Sequence, residues 1–324
     1  MEIGIQINSY CNRACGHCAI NCKPTDGTMA FEDLEKILDD ANVYLNDQYE
    51  LPWFKGDQPH IIDITGGEIL LYQDGERNLG DVADAIINRG MDISFVTRGW
   101  TNAEQNGNKL AYQNFQRIKD KALSVKISYD AQTFNGNRNL SREMLRNSLE
   151  GFNYVKHLDI QCAVTPYTFE ANFNDVIDCV TELGYNVPKI SMDEIKMFLN
   201  RGKGKKFEII KNSNVNVVFF PIVSSGRALG MEVYKTYKTK CPTTDVQSNI
   251  VVRSDLEISP CCSFSYNRLP SMGSIRDLTF KEIEGNEKYF DAIRTMQDDL
   301  KRERPEGDYN ICLECPSRLP TYLK

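Results

Sequence analysis

Apolar and polar positions alternate in the opening stretch Ile3-Gly4-Ile5-Gln6-Ile7, which is the two-residue period of a half-buried strand. Further on the period changes. Phe31, Leu34, Leu38 and Ala41 fall on one stripe at helical spacing. The two periods then take turns along the chain. Strands are predicted at Ile61–Thr65, Ile93–Thr97, Ser124–Ser128, Ile160–Val164 and Val215–Phe220. Helices are predicted at Leu79–Arg89 with Gly90 as the stop, near Lys109–Lys119, at Ser141–Lys156 with Ser141 as N-cap and Glu143 in the first turn, and at Asn174–Leu183 before Gly184. Such alternation predicts parallel βαβ units. It leaves an open doubly wound sheet and a barrel-like sheet as alternatives. The basic, glycine-bearing stretch 203–211 reads as an exposed loop.

After Phe220 the composition shifts. Cys241 is followed by two short apolar runs, Ile250–Arg253 and Leu256–Ile258, read as a hairpin turning at Ser254-Asp255. Cys261-Cys262 close the second run, and Cys312-Leu313-Glu314-Cys315 follows near the end. A chain of 324 residues, 41% hydrophobic, suits one large domain and a smaller one. The expected division is 1–220 and 221–324. No apolar run approaches a membrane span and no signal peptide is evident, so a cytoplasmic protein without a membrane partner is expected. A net charge of −7 argues against a general nucleic-acid binder. Eleven cysteines without a secretory signal suggest ligands rather than disulfides.

Three of them, in Cys11-Asn12-Arg13-Ala14-Cys15-Gly16-His17-Cys18, leave the end of the first strand. Thiolates at such spacing suit zinc or an iron–sulfur cluster. A closed zinc site wants four ligands, whereas a cubane held by three leaves one iron open. A second motif, Gly66-Gly67-Glu68, ends the second strand. Cys241, one of the Cys261-Cys262 pair, Cys312 and Cys315 make four thiolates for another site, an iron–sulfur cluster or structural zinc. Cys162 and Cys179 read as small buried hydrophobes. Cys22 receives no role.

Cysteines spaced C-x3-C-x2-C after a first strand, with Gly-Gly-Glu after the second, resemble the radical S-adenosylmethionine (SAM) enzymes. The resemblance implies a partial (β/α)6 TIM-like barrel. It implies a catalytic [4Fe–4S] cluster on Cys11, Cys15 and Cys18 whose open iron binds SAM. It places His17 near adenine, Glu68 on the SAM ammonium with Gly66 and Gly67 allowing close approach, and Thr97 and Ser128 as further SAM contacts. Over the last third, Gly226-Arg227-Ala228 and the later cysteines resemble a shortened SPASM module, the twitch domain. That implies one auxiliary [4Fe–4S] cluster on Cys241, Cys261, Cys312 and Cys315.

A narrower resemblance is to the epipeptide-type peptide epimerases. They share Cys-Asn-x-x-Cys-x-His-Cys at 11–18, Thr-Gly-Gly-Glu at 65–68, Ile-Ser-Tyr-Asp at 127–130, Cys-Pro-x-x-Asp at 241–245 and Pro-Cys-Cys at 260–262. This implies Cys262 as a hydrogen-atom donor and Asp245 as a catalytic-site residue. It also implies a ribosomally made precursor peptide as substrate and an electron donor such as flavodoxin or ferredoxin. A peptide crosslinking or splicing enzyme is the other enzymatic reading, and an electron-transfer or zinc-binding protein the non-enzymatic one.

Overall fold

The structure is a computed structural model. It describes residues 2–12, 15, 18, 22–23, 25–49, 60–130, 138–200, 204–210, 214–222, 234, 241, 249–259 and 269–324. The strands are β1 (Glu2–Asn8), β2 (Ile61–Gly66), β3 (Gln73–Asp74), β4 (Arg77–Asn78), β5 (Asp92–Thr97), β6 (Ser124–Ser128), β7 (His157–Val164), β8 (Lys205–Ile210), β9 (Asn214–Pro221), β10 (Asn249–Val252) and β11 (Ile258–Ser259). All but the small hairpin β3–β4 join one sheet, in the order β11-β10-β1-β2-β5-β6-β7-β9-β8. The run from β10 to β9 is parallel throughout, and the two edge strands are antiparallel to their neighbours.

The helices are α1 (Phe31–Tyr49), α2 (Leu79–Ile87), α3 (Asn102–Asn106), α4 (Leu110–Ile118), α5 (Arg138–Gly151), α6 (Phe169–Glu182), α7 (Met192–Asn200), α8 (Phe280–Glu284), α9 (Glu287–Glu303) and α10 (Ile311–Tyr322). Residues paired in parallel register point to the same face of a sheet. One face therefore carries Ile62, Ile64, Phe95, Val125, Ile127, Ile160 and Val217, all buried in a common core with α1, α2, α4, α5 and α6. The opposite face is polar. Asp63 pairs with Lys126 at 3.1 Å, and Asp159 accepts from Asn216 at 2.8 Å and from Lys206 at 3.2 Å. Helices on one face and charge on the other make this a partial (β/α)6 barrel rather than a doubly wound sheet. Among the described residues no helix is long and apolar enough to cross a membrane.

The later part of the chain is continuous with that sheet. β10 runs parallel to β1, with Ile3 opposite Ile250 and Ile5 opposite Val252. A capping box of Thr279 and Glu282 starts α8, which is fixed on α1 by Phe280 N–H donating to Asp40 at 2.8 Å and by the Tyr44–Phe280 ring contact. α10 packs on α9.

Four local expectations change. The stretch 203–211 contains β8, not a loop. Phe207 and Ile209 alternate with polar residues and sit opposite Val217 and Val215, while Lys206 reaches Asp159. Lysines on an edge strand are ordinary, and here they disguise the alternation. Ser141 is not an N-cap: α5 starts at Arg138, and the Ser141 hydroxyl donates to the Asp130 carbonyl at 3.1 Å. Leu256 belongs to the turn between β10 and β11, with φ +67°, so pairing resumes only at Ile258. Finally, α3, α7, α8, α9 and α10 add helices that the periodicity reading left out.

Candidate functional site

The site grows from the end of β1. The pairing of β1 with β2 is irregular between Gln6 and Asn8. Asn8 is fully buried there. Its Oδ1 accepts from Gly67 N–H at 3.1 Å, and its Nδ2 donates to the Glu68 carbonyl at 3.0 Å. Backbone bonds add to this: Gly67 N–H to the Asn8 carbonyl and Glu68 N–H to the Tyr10 carbonyl, both 3.0 Å. The turn after β2 and the start of the cysteine loop are thus one hydrogen-bonded unit.

The two glycines make that union possible. A Cβ on Gly66 would lie 2.3 Å from Asn8 Oδ1, and one on Gly67 only 2.1 Å from the Tyr10 carbonyl oxygen. The close approach is to the chain's own backbone. A side chain at either position would break the contact between the two loops.

Glu68 is 3% exposed. Its Oε1 accepts from Leu70 N–H at 3.1 Å and from the Thr97 hydroxyl at 2.6 Å. Its Oε2 accepts from Arg98 N–H at 3.0 Å and lies 3.6 Å from Arg98 Nε. Arg98 continues the chain of contacts by donating from Nη2 to Glu104 at 2.9 Å. Glu104 also accepts from Thr101 N–H at 2.7 Å, in the capping box that starts α3. Burial alone would push the Glu104 carboxyl up, but the Arg98 hydrogen bond and charge outweigh it and hold the group below its ordinary value. The ends of β2 and β5 are therefore bound together through buried charge.

The cysteine loop is closed at its base. Ser9 N–H donates to the Gly27 carbonyl at 2.8 Å, Cys11 N–H to the Lys23 carbonyl at 3.2 Å, and isolated bridges join Asn8 to Thr28 and Tyr10 to Lys23. Within it Cys18 N–H donates to the Cys15 carbonyl at 3.2 Å. Cys15 and Cys18 are half-buried and Cys11 is buried. The loop's return brings Cys22 close to Cys18, and its side chain is 2% exposed. The neighbouring Cys18, then burial, pushes the Cys22 thiol up.

Of the sequence-derived site residues, the structure brings Gly66, Gly67, Glu68 and Thr97 together with the cysteine loop. Ser128 stands at the end of β6, exposed and in register with Gln161. Its neighbour Tyr129 is buried instead, donating to Asp175, which Arg142 also holds at 2.7 Å. His17, Asp245, Cys261 and Cys262 lie outside the described residues, as does the side chain of Cys312. Cys241 and Cys315 are both buried. Cys241 N–H donates to Gln297 on α9 at 2.7 Å, and α10, which carries Cys315, packs on the same helix. Cys162 and Cys179 are fully buried, as read. Among the described residues no group of three or more His, Cys, Asp or Glu side chains is arranged to hold a single metal ion.

Residues 241–316 match the family model of SPASM, an iron-sulfur cluster-binding domain. The SPASM match takes in Cys241, Cys261, Cys262, Cys312 and Cys315. No curated protein matches the sequence significantly. Among solved structures, SuiB of Streptococcus suis bound to S-adenosylmethionine superposes with a TM-score of 0.52 at 13% identity, covering 87% of this chain and 64% of that one. The chain thus spans 64% of the length of SuiB. The structure of anSMEcpe with bound AdoMet and Cp18Cys peptide gives a TM-score of 0.50 at 15% identity, covering 87% of this chain and 79% of that one. BtrN in complex with AdoMet and 2-DOIA covers 95% of this chain and 89% of its own at 13% identity, with a lower TM-score of 0.46. At these identities the likeness to SuiB and anSMEcpe is one of fold, and it is the partial barrel they share with this chain.

Sequence reasoning missed Asn8 and Arg98. Asn8 continues the polar positions of the alternating strand, after Glu2, Gly4 and Gln6, and so carries no signal of its burial. Arg98 carries no local signal, since its two carboxylate partners lie 30 and 6 residues away.

Proposed function

We propose that this chain is a radical SAM enzyme that modifies a ribosomally made peptide, turning an L-residue into its D form. The observation that carries the reading is the union of two motifs at neighbouring strand ends. The three-thiol loop after β1 is hydrogen-bonded onto Gly66-Gly67-Glu68 after β2. Barrel enzymes build their sites at this end of the strands.

The donor set fits an iron–sulfur cluster: three thiols in one short loop, two of them half-buried, with soft sulfur the ligand such clusters take. Cys11, Cys15 and Cys18 would hold it. When bound, the reduced cluster and SAM would supply the one-electron chemistry that can remove a hydrogen atom from a substrate Cα. The chain's own residues bind, orient and exclude water. Ser128 offers an open hydroxyl to SAM. Glu68 is engaged by protein donors, and Oε2, with one close donor at 3.0 Å, has lone-pair capacity left for the ammonium. Thr97 acts by holding Glu68 in place. His17 is assigned to the adenine, and Gly66 and Gly67 to shaping the turn.

A division into barrel (1–220) and SPASM-like extension (221–324) follows the same reading. The SPASM match supports an auxiliary cluster on Cys241, Cys261, Cys312 and Cys315. The peptide bound to anSMEcpe supports a peptide substrate, and an electron donor such as flavodoxin or ferredoxin completes the set of partners. Asp245 is assigned to anchoring a substrate amide or ammonium. Cys262 is assigned to returning a hydrogen atom to the opposite face of the Cα, and the thiyl radical this leaves takes one electron from the electron donor and a proton to restore the thiol. A thiol hydrogen exchanges with solvent, so the step is recorded isotopically. In D2O the wild type is expected to yield peptide with one solvent deuterium at an inverted Cα. Cys262→Ala is expected to cleave SAM and give no D-residue. Peptide lacking a pair of hydrogens would instead mark a crosslinking enzyme.

A further inference from the structure

We infer that Glu104 is a positioning residue for SAM, taking up the charge of Arg98 so that Glu68 stays a net anion toward the SAM ammonium. The inference rests on the reading that Glu68 receives that ammonium. Its basis is a buried line of three charges on three elements. The Arg98 guanidinium stands between two carboxylates, with Nε 3.6 Å from Glu68 Oε2 and Nη2 2.9 Å from Glu104 Oε1. The side chains of Glu68, Arg98 and Glu104 are 3%, 6% and 12% exposed.

Two carboxylates and one guanidinium leave one negative charge over. Glu68 and Arg98 alone would cancel, and a neutral pair gives a cation little reason to leave water. The hydrogen bonds divide the guanidinium unequally. Nη2 donates to Glu104, whereas Nε makes no hydrogen bond and only approaches Glu68. Nη1 donates to the Met144 sulfur at 3.1 Å. Charge-assisted bonds are the stronger ones, so the guanidinium is committed to Glu104. Glu68 takes its own hydrogen bonds from neutral donors, Leu70 N–H, Arg98 N–H and the Thr97 hydroxyl. These orient a carboxylate and leave its charge in place. Glu104 is held to its task by its second oxygen, which accepts from Thr101 N–H at 2.7 Å where α3 begins.

The test measures SAM binding to full-length protein reconstituted with iron and sulfide and kept oxidised, so that no turnover occurs. Isothermal titration calorimetry compares the wild type, Glu104→Gln, Glu68→Gln and the double variant Arg98→Gln, Glu104→Gln. Each is titrated with SAM and with a SAM analogue that lacks the amino group. In Glu104→Gln the three side chains sum to zero, and SAM should bind roughly tenfold more weakly or worse, with little change for the analogue. The double variant returns to one negative charge and should recover most of that loss. A purely structural Glu104 predicts the reverse, a double variant that binds SAM more weakly still, and this would overturn the inference. Equal losses for SAM and the analogue in Glu104→Gln would overturn it as well, since damaged shape does not depend on the amino group. So would unchanged SAM binding in Glu104→Gln while Glu68→Gln binds weakly. If the double variant does not fold, the comparison of SAM with its analogue in Glu104→Gln decides alone. If Glu68→Gln binds SAM as the wild type does, it is the reading of Glu68 that fails, and the inference falls with it.

Discussion

The two cysteine-bearing regions are held in place by different means. The N-terminal loop is pinned to the sheet itself: Asn8, the glycine pair and Glu68 fasten it to the ends of β2 and β5. Among the described later cysteines, Cys241 hangs by its backbone from Gln297 on α9 and Cys315 sits on α10, which packs against α9. Sheet ends are the stiffest supports in this fold, since each strand there is buried on one face and paired on both sides. Helix-borne thiols depend on side-chain packing and single hydrogen bonds. On the proposed reading, the site where SAM would react is the one tied to the sheet ends.

The contrast breaks most severely at Gly67. Alanine there would place a Cβ 2.1 Å from the Tyr10 carbonyl oxygen, which backbone on both sides prevents from yielding. Gly67→Ala is expected to destabilise the protein by at least about 2–3 kcal/mol and to lose the SAM-responsive cluster signal. The auxiliary signal should persist. Thermal unfolding and spin-counted spectra of reconstituted protein check both parts, and equal loss at both sites would erase the contrast.

A smaller effect belongs to the buried charge chain. Glu104 is held below its ordinary value by Arg98, so its contribution is complete above the normal carboxylate range, about pH 4.3, and fades as pH falls through the depressed value. Glu104→Gln should cost about 1–3 kcal/mol at neutral pH, and the cost should shrink below about pH 4. Melting temperatures of the two proteins between pH 3 and pH 7 would show the curves converging on the acid side. Curves that stay parallel would mean that Glu104 acts by shape and not by charge.

The smallest change is expected at Gln297. Alanine removes one acceptor from Cys241 N–H, worth about 1 kcal/mol. It should lower iron retention at the auxiliary site only, measured as iron per chain after gel filtration.

The strands that alternate with helices and the thiol loop after β1 could be read from the sequence because both signals are local. Alternation over five or six residues and three cysteines within eight positions need no knowledge of the far chain. β8 was hidden because Lys205 and Lys206 mask the alternation of Phe207 and Ile209. The meaning of Gly66 and Gly67 was hidden for another reason. A missing side chain announces that something comes close, but not that it is the chain's own Asn8 and Tyr10. Asn8, Arg98 and Cys22 owe their positions to contacts that exist only once the loop has closed on the sheet.

The most direct measurement is reductive cleavage of SAM. Wild-type protein and the Cys11→Ala, Cys15→Ala, Cys18→Ala triple variant are each reconstituted with iron and sulfide and treated with dithionite and SAM. The wild type should form 5′-deoxyadenosine and methionine, and the triple variant should form neither while keeping its auxiliary iron. Continued 5′-deoxyadenosine formation by the triple variant, or none by a wild type that holds both clusters, would contradict the assignment of this site.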